Sequence, residues 1–185
     1  MKLQRFALAL SLVVLGLTPV AIAAPACGVK VKIPVKARIF AKTNDQAGWR
    51  EYRSIADVPQ LDLDNGMSAR FWQPRKGSPS VYLVEPGEDF WVYTRYCFSG
   101  DGKLENVSFE IRTPLGWGHR SEGSITGTAF KTNSSEFFST RNGKPISKPA
   151  GVSDIPRDIK PTLYLKVSEL PFAGLLSPAS KPSGQ

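Results

Sequence analysis

The chain has 185 residues, of which 41% are hydrophobic and 22% charged, and its formal net charge is +8. This composition is that of a globular protein, and it excludes a wholly disordered chain, a collagen and a polytopic membrane protein. The length corresponds to about one domain.

Residues 1–23 have the plan of a secretory signal peptide. Lys2 and Arg5 precede an uncharged apolar run from Phe6 to Leu17, and small residues follow at Ala21-Ile22-Ala23. The run is shorter than the roughly 20 apolar residues that span a bilayer. We therefore predict a secreted or periplasmic protein without a membrane span after cleavage, with an uncleaved anchor as the alternative. Without Lys2 and Arg5 the net charge falls from +8 to +6.

Two cysteines, Cys27 and Cys97, are the only ones in the chain. An even number in an exported protein predicts a disulfide between them, and a closed loop of 97 − 27 = 70 positions is worth roughly 4 kcal/mol. The alternative is lipidation of Cys27, which directly follows Ala24-Pro25-Ala26. Because His119 is the only histidine, the two cysteines lack the partners of a zinc site. We predict no metal and no cofactor.

Basic residues alternate with aliphatic ones near the mature N-terminus. Lys30, Lys32, Lys36 and Arg38 lie at even positions of a segment whose odd positions, from 29 to 39, are aliphatic. Period two predicts a strand with a basic stripe, and Pro34 predicts an edge strand or a change of partner. We interpret the stripe as protection of that edge, and the alternative is binding of an anionic partner. No nucleic-acid-binding motif accompanies it, so we predict no nucleic-acid partner.

The remaining chain consists of short strand patterns separated by turn signals, without sustained helical periodicity. This pattern predicts an all-β protein, an antiparallel sandwich or barrel, and we choose a single immunoglobulin-like β-sandwich over residues 24–170. The Pro-, Ser- and Gly-containing residues 171–185 are predicted to form a flexible tail. The predicted strands after the basic stripe cover residues 49–55, 67–73, 81–84, 90–98, 107–112, 125–131, 136–140 and 163–168.

One stretch has a more specific order of turns and strands. It runs from Val84-Glu85-Pro86-Gly87-Glu88 through the hairpin signal Ser99-Gly100-Asp101-Gly102 to the strand at 107–113, and then to Pro114-Leu115-Gly116. This order resembles CARDB-type and similar immunoglobulin-like modules of exported bacterial proteins. The resemblance implies a β-sandwich used for spacing or binding, and it carries no catalytic residue across.

Two aromatic-rich segments are candidate binding surfaces. Residues 90–98 are apolar on both faces, which predicts a central, covered strand, although an exposed aromatic platform for sugar rings is the alternative. Trp117, His119 and Arg120 stand beside Gly116 and Gly118, and we predict a tight corner in which Trp117 packs against the end of the domain. The alternative is a loop in which Trp117, His119 and Arg120 bind a sugar or an anion.

Catalytic motifs are lacking, because the sequence has no Gly-x-Ser-x-Gly, no His-Glu-x-x-His and no phosphate-binding loop. A carboxylate pair chosen from Glu88, Asp89, Glu105 and Glu110 would be needed for a small hydrolase. We predict instead a non-catalytic exported binding or structural module whose partner the sequence does not identify; the candidate partners are an envelope polysaccharide and another exported protein. The alternatives are a dedicated carbohydrate- or cell-envelope-polymer-binding protein and, third, the hydrolase.

Overall fold

A computed structural model describes residues 36–43, 47–59, 66–74, 77–152 and 160–177. Within these ranges the chain has no α-helix, and the all-β prediction is confirmed. Nine strands form one antiparallel sheet in the order β2-β1-β3-β4-β5-β6-β7-β8-β9. A second sheet, which a sandwich requires, is not seen in the part of the chain described. The strands are β1 Arg38–Lys42, β2 Arg50–Tyr52, β3 Met67–Trp72, β4 Ser80–Pro86, β5 Trp91–Phe98, β6 Leu104–Arg112, β7 Trp117–Thr126, β8 Ala129–Ser139 and β9 Pro145–Ile146.

Most predicted strands lie where the alternation placed them, and the differences have local causes. The segment predicted as one strand over 125–131 is a hairpin, because Gly127 has a φ of +64° and reverses the chain between β7 and β8. Residues 163–168 do not form a strand. They make an isolated bridge between Lys166 and Lys103 and then a 3₁₀ turn, Val167–Glu169.

The basic N-terminal segment is described only from residue 36 onwards. Its strand, β1, lies between β2 and β3, so the described part of this segment is not the sheet edge that Pro34 suggested. The outermost strand on this side is β2, which has only three residues. A short terminal strand limits the exposed backbone that could pair with another chain.

Cross-strand register divides the sheet into two different faces, since directly opposite residues point to the same side. The front face is defined by the row Phe71, Val81, Tyr96 and Val107, all buried, and belongs to the main apolar cluster. The back face contains most of the buried polar residues. These back-face polar residues are Ser68, Arg95, Ser108, Glu110 and Arg120.

Residues 160–177 cover one end of the front face. Phe172 is 2% exposed and stacks on Phe40 with ring centroids 4.5 Å apart. The Tyr96 hydroxyl donates to the Thr162 carbonyl at 2.9 Å, and the Leu104 amide donates to the Leu165 carbonyl at 2.8 Å. The packed structure therefore continues beyond residue 170, where the flexible tail was predicted to begin. Its last element is a 3₁₀ turn, Ala173–Leu175.

The predicted leader, 1–23, and Cys27 lie outside the described residues. Cys97 lies on β5, is 9% exposed and is not a free thiol. Its pairing with Cys27 stays a prediction. No helix among the described residues is long and apolar enough to cross a membrane.

Candidate binding surface

The segment predicted to be a tight corner, or alternatively a binding loop, is the beginning of a strand. The turn between β6 and β7 occupies residues 113–116, where Gly116 has a φ of +88°, and β7 begins at Trp117. Strand alternation then separates the three candidate side chains. Trp117 and His119 lie on the front face, whereas Arg120 lies on the back face. The structure does not bring these three residues together.

On the front face, His119 contacts the neighbouring strand. Its Nε2 lies 2.8 Å from the Ser135 hydroxyl oxygen, and its ring meets Phe137 edge-on at 5.0 Å. Burial lowers the pKa of His119, which favours the neutral imidazole. An acyl-transfer dyad further needs an acid that orients the imidazole and donors for the oxyanion. In the part of the chain described, Ser135 is the hydrogen-bond partner of His119, so the contact stops short of that machinery.

On the back face, Arg120 is engaged in contacts within the fold. Its Nε donates to Glu136 at 2.6 Å, Nη2 reaches the Gly143 carbonyl at 3.4 Å, and the guanidinium lies 4.8 Å from the Phe138 ring centroid. The side chain is 9% exposed. Arg120 therefore holds β7 to β8 and to the turn before β9, and it is poorly placed to contact a ligand.

The basic stripe is described only at its second half, because Lys30 and Lys32 lie outside the described residues. Lys36 is exposed before β1. Arg38 binds Glu51 through two hydrogen bonds of 2.7 Å and donates to the Leu175 and Leu176 carbonyls. The hydrogen bond from Arg38 lowers the pKa of Glu51. Arg38 thus fastens the C-terminal segment to the sheet instead of extending a free cationic surface.

A row of alternating cations and aromatic rings lies on the back face, across the central strands β4, β5 and β6. The Arg95 guanidinium is 5.9 Å from the Tyr82 ring centroid, and the Tyr82 and Tyr93 centroids are 6.1 Å apart. The Arg112 guanidinium lies 4.8 Å from the Tyr93 centroid. We call these four side chains the arginine–tyrosine row. Cation–π contacts are worth about 0.5–2 kcal/mol each, so the row stabilises its own geometry.

Glu110 anchors one end of the arginine–tyrosine row. It lies directly opposite Tyr93 on β6, and its side chain is only 3% exposed. Its carboxylate accepts a hydrogen bond from the Nε of Arg112, whose side chain is 45% exposed. A buried carboxylate needs such a partner, because an unpaired charge in the interior is costly. The pair fixes the Arg112 guanidinium at the surface.

Burial shapes the electrostatics of the row. Desolvation raises the pKa of Tyr82 and lowers that of Arg95. Desolvation also acts to lower the pKa of Arg112, but the hydrogen bond to Glu110 and the Coulomb interactions with Glu110, Tyr93 and Tyr82 together raise it. Tyr82 and Tyr93 are half-buried, so part of each ring remains accessible. The arrangement offers half-exposed aromatic surfaces beside an exposed guanidinium. It can stack on a flat apolar group and donate hydrogen bonds to an anion.

Sequence reasoning anticipated part of this surface. The apolar pattern of residues 90–98 predicted a central strand, and β5 is the fifth of nine strands. The predicted cover on both faces is only partial, because Trp91, Val92 and Tyr93 are half-buried. Tyr82 and Arg112 were missed, since they lie on other strands. Their signal is the same alternation in β4 and β6, where Tyr82 and Arg112 have the parity opposite to that of the buried Val81 and Ile111.

The carboxylates considered for hydrolysis are dispersed. Glu88 and Asp89 lie in the exposed turn between β4 and β5, and Glu105 is exposed on β6, whereas Glu110 is buried. Among the described residues no group of three or more His, Cys, Asp or Glu side chains could hold a metal ion. Comparison with protein families, with curated proteins and with solved structures finds no match.

Proposed function

We propose that this protein is an exported, non-catalytic binding module that binds a polysaccharide of the cell envelope on the back face of its sheet. The observation that carries the proposal is the arginine–tyrosine row across β4, β5 and β6. The signal-peptide pattern of residues 1–23 supports export. The chemistry of the row is that of binding, because Glu110, the buried carboxylate beside the row, is neutralised by Arg112.

A saccharide suits this surface because a pyranose ring has a flat apolar face and a polar rim. Tyrosine has the same division, with an apolar ring and a hydroxyl that remains in water. The rings stand on the central strands of a sheet, so they are held in place before a ligand arrives and little side-chain freedom is lost on binding. An open sheet face also admits a long chain, whereas a closed pocket would restrict the ligand to a small molecule.

We also propose that the domain is an immunoglobulin-like β-sandwich, which is a more specific fold than the all-β sheet described above. Its support is the resemblance of residues 84–115 to CARDB-type modules, a region that forms consecutive hairpins from β4 to the start of β7. A sandwich needs a second sheet facing the first. An experimental structure of residues 24–185 in which a single sheet accounts for every strand would refute it.

Binding can be tested on a glycan array with the secreted protein and two single variants. Tyr93→Ala removes one of the two rings of the row, and Trp117→Ala removes a half-buried aromatic ring from the front face as the matched control. We expect Tyr93→Ala to lose binding and Trp117→Ala to retain it, with both variants folded by circular dichroism. Loss only in Trp117→Ala would place binding at the front face and contradict the proposal.

A further inference from the structure

Resting on the proposed function, we infer that the ligand is an acidic polysaccharide and that Arg112 recognises its carboxylates. Arg112 uses its Nε for Glu110 and its guanidinium face for Tyr93. Neither of its Nη groups has a partner in the part of the chain described, and the side chain is 45% exposed. Two parallel N–H donors at the surface match the two oxygens of a carboxylate.

The charge of the surrounding back face supports an anionic ligand. Arg70 lies directly opposite Tyr82, which in turn lies opposite Arg95, so a third arginine extends the same face. The charged back-face residues of β3 to β7, together with the Glu136 partner of Arg120, are four arginines and three glutamates, which leave a local charge of 4 − 3 = +1; they are Arg70, Arg95, Arg112, Arg120, Glu110, Glu122 and Glu136. A neutral glycan would gain nothing from this excess, whereas a polyanion is attracted and held.

The spacing of the arginines favours a polymer over a small acid. Arg70 on β3 and Arg112 on β6 are three strand spacings, or about 14 Å, apart across the sheet, and Arg112 lies four residues, or about 13 Å, beyond Ser108, the β6 residue in register with Arg70, so the two backbone positions are roughly 19 Å apart. Tyr82 and Tyr93 lie on the strands between them. A chain with a carboxylate on each sugar can therefore reach both guanidinium groups while its rings lie over the tyrosines. Such repeated contacts raise the affinity of a polymer above that of its monomer.

Polygalacturonate and its fully methyl-esterified form provide matched probes, because they differ only in the carboxylate charge. Affinity is measured by isothermal titration calorimetry at two salt concentrations, with dextran sulfate as a general polyanion. The variants are Arg112→Gln and Arg112→Lys, and Arg141→Gln removes an exposed charge elsewhere as the control. Arg112→Lys keeps a cation beside Glu110 but lacks the two-donor fork, so it remains informative if Arg112→Gln fails to fold.

We expect wild-type protein to bind polygalacturonate and to bind the ester at least about tenfold more weakly. Arg112→Lys should lose about 10- to 100-fold in affinity for polygalacturonate, which corresponds to one charge-assisted contact, and Arg141→Gln should bind normally. Equal binding of acid and ester, with loss in Tyr93→Ala, would overturn the inference and leave the proposed function standing. The inference would also be overturned if the protein bound dextran sulfate as tightly as polygalacturonate and if Arg112→Lys and Arg141→Gln lost equal affinity, because binding would then depend only on general charge. Binding to neither polymer nor to any array glycan would overturn both.

Discussion

Phe172 is the residue whose removal tests the packing of the C-terminal segment most directly. Its side chain is 2% exposed, and it contacts three aromatic rings of the sheet and its edge. The ring centroids of Phe40, Trp49 and Phe71 lie 4.5, 5.3 and 6.4 Å from its own. Phe172→Ala would leave a cavity that these rings cannot fill without moving.

The expected loss follows from burial and from the ring contacts. Replacing a buried Phe by Ala costs about 3–5 kcal/mol, because the apolar area is lost and the cavity remains. The stacked contact between Phe172 and Phe40 places the estimate in the upper half of that range. In a domain of this size each kcal/mol lowers the melting temperature by about 2–4 °C. The loss is large against a total stability of about 5–15 kcal/mol.

Urea denaturation followed by tryptophan fluorescence measures the effect, since Trp49 reports on this cluster. Leu175→Ala is the control from the same segment, because its side chain is 37% exposed, and we expect a loss below about 1 kcal/mol. Truncation after Leu170 should destabilise at least as much as Phe172→Ala. A Phe172→Ala loss no larger than that of Leu175→Ala would refute the reasoning and restore a boundary at residue 170.

Three further substitutions test other parts of the fold. Gly118→Ala should lower the free energy of unfolding, measured in urea, by about 1–3 kcal/mol, because the new Cβ would lie 2.6 Å from a backbone oxygen of β6. Gly100→Ala is the control, because its Cβ would enter open space and the stability should change little. Tyr96→Phe removes the donor to the Thr162 carbonyl and should cost about 1 kcal/mol; an unchanged melting temperature would contradict that hydrogen bond. Burial raises the pKa of Glu85 above its usual 4.5, so the folded state binds the proton more tightly than the unfolded state, and wild-type stability falls as pH rises through the folded-state pKa. The stability difference between Glu85→Gln and wild type should therefore favour the variant more at pH 7 than at pH 4. If the urea midpoints of the two proteins differ by the same amount at both pH values, burial is not the cause of the shift.

Local patterns in the sequence were sufficient for much of the architecture. Period-two alternation predicted the strands at 67–73, 81–84, 90–98 and 107–112, and the structure has strands over these segments. The hairpin at Gly100-Asp101-Gly102 was predicted from its turn residues, which bring adjacent strands together. Apolar residues on both sides of β5 predicted its central place, because a strand at an edge is rarely covered on both faces. These features depend on neighbours a few residues away, so the sequence alone determines them.

The candidate site depended on long-range pairing, which only the tertiary structure decided. Alternation assigns a side chain to one of two faces but does not say which strand lies beside it, and the arginine–tyrosine row joins Tyr82, Tyr93 and Arg112 from three strands. The same limit explains why Trp117 and Arg120 looked like neighbours in a loop, although β7 points them to opposite faces. Phe172 stands among proline, serine and glycine residues that signal a flexible tail, and its burial follows from an aromatic cluster drawn from distant segments. Strand pairing and the burial of distant side chains are cooperative properties of the folded chain, and no local pattern specifies them.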